Sequence, residues 1–318
     1  MKRTRYIGVY DRAIGATINL TYKCNLHCSH CYILGGANHQ FGEIRDKDWL
    51  TIIKKLMNYN ISNFQITGGE PLLRKKLFIE ILDILSKDPN ISINISTNGF
   101  YVDQQIINKV NSIQNPVLFQ ISLDGCTEEV HNQIRHNKKA FDKAINSSLL
   151  ISQSRARLQI CHTINLLNYN QIENIIKLSI MLNADILLIG AALPLGRGAV
   201  DNDNIIIDND FRKEIFNQLK ILKEKYSEYI QILIATMSDE EMLYNFDNER
   251  QNWFTIDPLG NVMIDERLPF YVGNALDDNL EDLWNKIIEK QDSKLIKSFV
   301  TNLRLKDESL SYLRRIKI

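Results

Sequence analysis

The 318-residue sequence predicts an α/β fold, a parallel sheet with helices packed outside it. Two observations carry that prediction. Six strand-like runs alternate with five runs of helical periodicity between residue 16 and about residue 190. The turns richest in glycine and small polar residues come directly after strand-like runs, so they gather at one end of the sheet.

The first strand spans residues 16–20. An amphipathic helix over 46–59 then leads to the second strand, 63–67, whose centre is Phe64-Gln65-Ile66. A helix over 75–87 precedes the third strand, 91–96, and one over 103–113 precedes the fourth, 117–123. Helices over 141–152 and 171–182 bracket the fifth strand, 157–163, and the sixth strand runs over 185–190. Each strand–helix–strand passage is a βαβ unit, which makes the neighbouring strands parallel.

A polar break, Asp201-Asn202-Asp203-Asn204, divides residues 1–200 from a second section, 201–318. That section reads as a long helix over 208–225, a short strand over 231–234 and a hairpin. In the hairpin, residues 253–256 and 262–264 flank the turn sequence Asp257-Pro258-Leu259-Gly260-Asn261. Gly273-Asn274-Ala275 and Leu280-Glu281-Asp282-Leu283-Trp284 lead into a helical tail. There are no repeats or low-complexity tracts, and no separate N-terminal domain is expected.

The 38 basic and 38 acidic side chains balance, which argues against a nucleic-acid partner. No apolar run has the ~18–20 residues of a membrane span. The basic start Met1-Lys2-Arg3-Thr4-Arg5 is followed by an apolar stretch too short for a signal peptide, so a cytoplasmic protein is expected. Free cysteines suit that reducing compartment.

Three of the five cysteines stand as Cys24-x-x-x-Cys28-x-x-Cys31, straight after the first strand. Three thiolates on one short loop can hold three irons of a 4Fe–4S cubane and leave the fourth open. Structural zinc is the alternative, with His27 or His30 as the fourth ligand.

Further motifs stand at later strand ends: Thr67-Gly68-Gly69-Glu70-Pro71, Ser96-Thr97-Asn98-Gly99, Ser122-Leu123-Asp124-Gly125 leading through His131 to Arg135, and Leu195-Gly196-Arg197-Gly198. With the cysteine loop they resemble, in order, the radical S-adenosylmethionine (radical SAM) superfamily, in the branch that carries SPASM or twitch extensions. The resemblance implies a partial (β/α)6 barrel with a C-terminal α+β extension of hairpin plus helices. It also implies one 4Fe–4S cluster on Cys24, Cys28 and Cys31, with the open iron chelating the methionine end of S-adenosyl-L-methionine (SAM).

Under that resemblance Glu70 accepts from the SAM amine, while Gly68 and Gly69 let the backbone approach closely. Tyr32 offers backbone groups to adenine, or packs as an aromatic. Ser96, Asn98, Ser122 and Asp124 stand at strand ends where ribose and carboxylate would lie, with capping or turn roles as the alternative. Arg135 pairs with the SAM carboxylate unless it is a solvated helix arginine. Arg197 contacts SAM or substrate.

The extension departs from the branch pattern. It has no cysteine after Cys161, and Asp265 stands where a hairpin cysteine would be expected. Auxiliary clusters held in the usual way are therefore not expected.

The function this implies is reductive SAM cleavage to a 5′-deoxyadenosyl radical, which abstracts hydrogen from a ribosomally made peptide. Alternatives are a small metabolite as substrate, or a non-catalytic scaffold. Partners would be a flavodoxin- or ferredoxin-like reductant and a separate leader-peptide recognition protein. Without an auxiliary cluster to take up an electron, redox-neutral outcomes such as epimerisation are favoured over cross-linking. For epimerisation Cys126, next to the Ser-Leu-Asp-Gly turn, is the better placed of the two free thiols to donate hydrogen, with inert packing as the favoured reading. Cys161, on a strand face with Gln159 and Thr163 that could point into the barrel, is ranked below it, and Trp253 and Tyr271 are candidates for a substrate surface, with burial in the hairpin as the default.

Overall fold

The computed structural model describes residues 12–36, 42–200, 202–235, 252–291, 293–296, 298 and 316–318. The basic start, Asp201 of the polar break and much of the helical tail lie outside the described residues.

The predicted strands form in sequence order: β1 (Gly15–Asn19), β2 (Asn63–Thr67), β3 (Ser92–Thr97), β4 (Val117–Ser122), β5 (Arg157–Ile164) and β6 (Ile186–Ala191). Each pairs in parallel with the next. The connecting helices are α1 (Asp46–Asn58), α2 (Lys75–Leu85), α3 (Gln104–Ser112), α4 (Glu128–Arg135), α5 (Ala140–Ser152) and α6 (Ile172–Met181). In α1, Trp49, Ile52, Ile53 and Leu56 recur at three- and four-residue spacing and are buried against the sheet. Asp103 caps α3 by accepting from the Ile106 amide at 3.1 Å.

Periodicity alone gives no helix at 128–135. The segment is two turns long and mostly polar, so its stripe of His131, Ile134 and Arg135 does not read as apolar. Thr127 caps its start, and left-handed His136 (φ 51°) ends it.

Period-2 alternation gives the sheet two different faces. Phe64, Ile66, Ile93, Ile95, Phe119 and Ile121 are fully buried in the apolar core. On the opposite face, the Gln65 amide donates to Ser96 Oγ at 2.7 Å, and Ser96 Oγ donates to Gln120 Oε1 at 2.6 Å. The strands thus carry a polar, hydrogen-bonded lining on the face away from that core.

The barrel is open because β6 and β1 pair with other strands. The strand β7 (Gln231–Ile234) adds in parallel to β6, and β8 (Trp253–Ile256) adds in parallel to β1. The predicted hairpin follows: β9 (Asn261–Met263) runs antiparallel to β8, then β10 (Phe270–Asn274) antiparallel to β9, and β11 (Ile316–Lys317) parallel to β10. Among the described residues they make one eleven-stranded sheet. Asp257 organises the hairpin turn by accepting from the Leu259 and Asn261 amides, both at 2.9 Å, and Gly260 takes the left-handed φ of 83°.

Short helices α7 (Arg197–Val200) and α8 (Asn202–Ile205) follow β6, then the long α9 (Asn209–Lys225). The helix α10 (Leu280–Gln291) buries Trp284, which packs edge-on against Phe254 of β8 with centroids 5.3 Å apart. Among the described residues, no helix is long and apolar enough to cross a membrane.

Candidate functional site

At the C-terminal ends of β1–β6 lies a cavity of about 360 Å³, within the size range of small-molecule sites. Cys24, Cys28 and Cys31 line it, as do Gly68 and Gly69 after β2, Ser96 and Asn98 at the end of β3, and Ser122 at the end of β4. Tyr32, Arg135, Arg197, Cys161 and Thr163 complete the part of the wall that bears on chemistry. Of the residues singled out from sequence, Glu70, Asp124 and Cys126 do not line the cavity surface.

The cysteine loop is held from two sides. Arg197 donates from Nε to the Cys28 carbonyl at 2.8 Å and from Nη1 to the Gly35 carbonyl at 2.9 Å, and its amide donates to the Cys31 carbonyl at 3.0 Å. From the α4 side, the Ser29 amide donates to the Ile134 carbonyl at 3.0 Å, and Arg135 Nη1 donates to Cys28 Sγ at 3.4 Å. All five cysteines are free thiols. Burial pushes the Cys24 thiol up to about 12, against a Leu26 amide donating to its sulfur at 3.4 Å. Burial also raises Cys28, with Arg135 opposing. Such thiols stay protonated until a metal replaces the proton.

Glu70 lies directly after the Gly-Gly turn but does not line the cavity. Its carboxylate is fully buried in the wall, where Oε1 accepts from the Leu72 amide (3.0 Å) and the Thr97 hydroxyl (2.8 Å), and Oε2 from the Asn98 amide (2.9 Å). It ties the end of β3 to the Gly-Gly turn. Burial raises its pKa from 4.5 to about 7, even though all three hydrogen bonds favour the anion. The backbone at Gly68 and Gly69, which does face the cavity, packs against β1's following turn. A Cβ on Gly69 would lie 2.3 Å from the Lys23 carbonyl, and Gly68 has φ 139°.

Asp124 is also buried behind the wall. Its Oδ2 meets Arg135 Nη2 at 2.6 Å and His30 Nε2 at 2.7 Å, and its Oδ1 accepts from the Thr163 amide at 3.0 Å. Burial works against ionisation, but the Arg135 and His30 charges hold this carboxyl well below the usual range. His131, buried beneath, accepts the Asp124 amide on Nδ1 at 3.1 Å, and burial pushes its pKa down to about 3. His131 is therefore a neutral brace for the Asp124 turn.

Asn98 turns its amide to Asn25 Oδ1 at 3.0 Å, linking the β3 end to the cysteine loop. The Tyr32 phenol hydrogen-bonds Glu266 of the β9–β10 connection, and burial, then the Glu266 charge, raises its pKa.

Of the two spare cysteines, Cys161 takes the barrel-facing side that its strand parity allowed, while Cys126 does not line the cavity. Cys161 lines the cavity, on the polar face of β5 with Thr163. Cys126 packs against the main apolar core, and its amide donates to Gln171 Oε1 at 2.9 Å. The chain turns away after Asp124 because Gly125 lies against α4, where a Cβ would come within 2.6 Å of the His131 amide nitrogen. Trp253 and Tyr271 also stand outside the cavity wall. Trp253 covers Gly15 of β1, and Asp265 closes on Arg267 at 2.7 Å.

The comparisons with known proteins agree with this architecture. Residues 18–179 match the family model described as the radical SAM superfamily. The chain is similar to the sporulation killing factor maturation protein SkfB of Bacillus subtilis (strain 168), at 24% identity over 270 residues, covering 85% of this chain and 64% of SkfB. It is similar to the AdoMet-dependent heme synthase of Methanosarcina barkeri (strain Fusaro / DSM 804), at 24% identity over 285 residues, 83% of this chain and 80% of that protein. The chain therefore spans just under two thirds of SkfB's length. Among solved structures, Streptococcus suis SuiB bound to precursor peptide SuiA shares the fold, with a TM-score of 0.69 at 14% identity over 91% of this chain and 67% of SuiB.

Proposed function

Because the chain belongs to the radical SAM superfamily, we propose that it is an enzyme whose Cys24, Cys28 and Cys31 hold one 4Fe–4S cluster, with SAM in the cavity beside them. The donor set fits that group. Three free thiols line one cavity, and a cubane asks each thiolate for a different iron. His30, a candidate fourth zinc ligand, is instead hydrogen-bonded to Asp124. When bound, the cluster and SAM supply reductive cleavage to methionine and a 5′-deoxyadenosyl radical, which takes a hydrogen atom from the substrate.

The chain's own residues do the rest. Arg197 fixes the loop that presents the thiols. Gly68 and Gly69 bring the backbone to the ligand without a side chain in the way. Ser96, Asn98 and Ser122 offer hydrogen-bonding groups for ribose and carboxylate, and Tyr32 packs at the cavity edge. Glu70 and Asp124 act from behind, holding the strand ends and Arg135. Cys161, rather than Cys126, is the thiol facing a bound substrate.

The substrate we propose is a peptide, modified in a redox-neutral step. The similarity to SkfB, named a maturation protein, and to SuiB, solved with its precursor peptide, supports this. A flavodoxin- or ferredoxin-like donor would supply the electron, in the cytoplasm, and a separate protein would recognise the leader. A small-molecule substrate is the second reading, favoured by the 80% coverage of the heme synthase.

The observation that carries the proposal is the convergence of the three cysteines and the Gly-Gly turn on one cavity at the strand ends. The test is SAM turnover by anaerobically reconstituted protein, offered short peptides encoded near its gene or, separately, porphyrin precursors. Peptide-dependent turnover with a modified peptide supports the first reading, and porphyrin-dependent turnover replaces it with the second.

A further inference from the structure

The buried ionic group behind the cysteine loop joins three elements: His30 from the loop, Asp124 from the end of β4 and Arg135 from the end of α4. Asp124 is fully buried and Arg135 is 7% exposed. Removing two such charges from water costs several kcal/mol each, so the pair is tolerated only with close geometry and further hydrogen bonds. Asp124 meets both conditions, while Arg135 is close-paired but keeps a buried Nε without a partner. Asp124 takes Arg135 at 2.6 Å, His30 at 2.7 Å and the Thr163 amide at 3.0 Å.

What this arrangement achieves is the aim of the guanidinium. With Nη2 pinned on Asp124, Nη1 is directed at Cys28 Sγ at 3.4 Å. The planar fork cannot rotate off the sulfur without breaking the Asp124 bond.

We propose that Arg135 is a positioning residue that donates an N–H···S bond to Cys28 in the loaded enzyme and so raises the reduction potential of the cluster, with Asp124 and His30 aiming it. This rests on the cluster reading above. The physical reason is that reduction adds negative charge shared by the cluster and its thiolates. A fixed cation donating to one of those sulfurs stabilises the reduced state more than the oxidised one. Hydrogen bonds to the sulfurs and local charge are recognised settings of such potentials. A permanently charged guanidinium in a dry site is a strong version of that device. The consequence is easier entry of the electron that starts each turnover.

The test compares the full chain, anaerobically reconstituted, as parent, Arg135→Lys, Arg135→Gln and His30→Gln. Iron is counted in each, and the midpoint potential is read by redox titration followed by electron paramagnetic resonance. The expected result is a shift to more negative potential, largest for Arg135→Gln, smaller for Arg135→Lys, which keeps a charge without the fork, and smallest for His30→Gln. His30→Gln leaves Arg135 in place, so it keeps the test open if the arginine variants load poorly. Variants that keep their iron but hold the parent's potential, with only SAM binding weakened, would overturn the inference and leave the function above standing. A parent that takes up no cluster would instead overturn that function, and this inference with it.

Discussion

Replacing Glu70 by Gln tests whether its carboxylate is buried in the wall or presented to a ligand. Glu70 is fully buried, and its pKa rises from 4.5 to about 7. An acid whose folded-state pKa is raised binds its proton more tightly when folded. Its stabilising share is fully present below pH 4.5 and is lost as pH rises to about 7, then stays constant. The whole displacement corresponds to about 3 kcal/mol, most of which falls between pH 5 and pH 8. Glu70→Gln removes that dependence. It also leaves one of the three donors around the carboxylate facing an amide NH2, at a cost of about 1–3 kcal/mol at every pH. Urea unfolding of the metal-free chain at pH 5 and pH 8 reads both terms. The parent should lose roughly 2–3 kcal/mol more than the variant between the two pH values. Equal pH dependence in the two proteins, with SAM binding lost in the variant, would refute the buried role and return Glu70 to the ligand.

Cys161→Ala should change the hydrogen returned to the product when substrate is turned over in deuterated water, read by mass spectrometry, while Cys126→Ala should leave the label unchanged. The reverse outcome would restore Cys126 as the donor. Gly69→Ala should cost about 2 kcal/mol in urea unfolding and most SAM binding by calorimetry, because the nearest atoms to the new Cβ are backbone atoms of Tyr22 and Lys23. Arg197→Ala removes two charged hydrogen bonds to loop carbonyls. It should lower unfolding stability by about 2–3 kcal/mol and leave less iron per chain after gel filtration.

The parallel core was readable because each of β1–β6 carries its own local signal, an apolar run closed by a turn. The cysteine spacing and the Gly-Gly turn were readable for the same reason, since both are local. The pairing of β8 with β1 joins residues some 240 positions apart and leaves no local trace. The two-turn α4 was missed because its buried stripe contains His131 and Arg135, which periodicity counts as polar.

Direction was harder to read than position. Cys161 sits in a strand, where parity with Gln159 and Thr163 sends it to the polar face. Cys126 follows Gly125 in a turn, where no period applies and the close packing of Gly125 on α4 decides. Glu70 was placed correctly after its strand, but only the tertiary donors Thr97 and Asn98 determine that its carboxylate points into the wall.

The most direct test of the central claim is electron paramagnetic resonance of the anaerobically reconstituted, reduced protein with and without SAM, alongside an iron and sulfide count. A single cluster with an open iron predicts about four irons per chain and a signal altered by SAM. Stoichiometric zinc, about eight irons, or a signal that SAM leaves unchanged would contradict it.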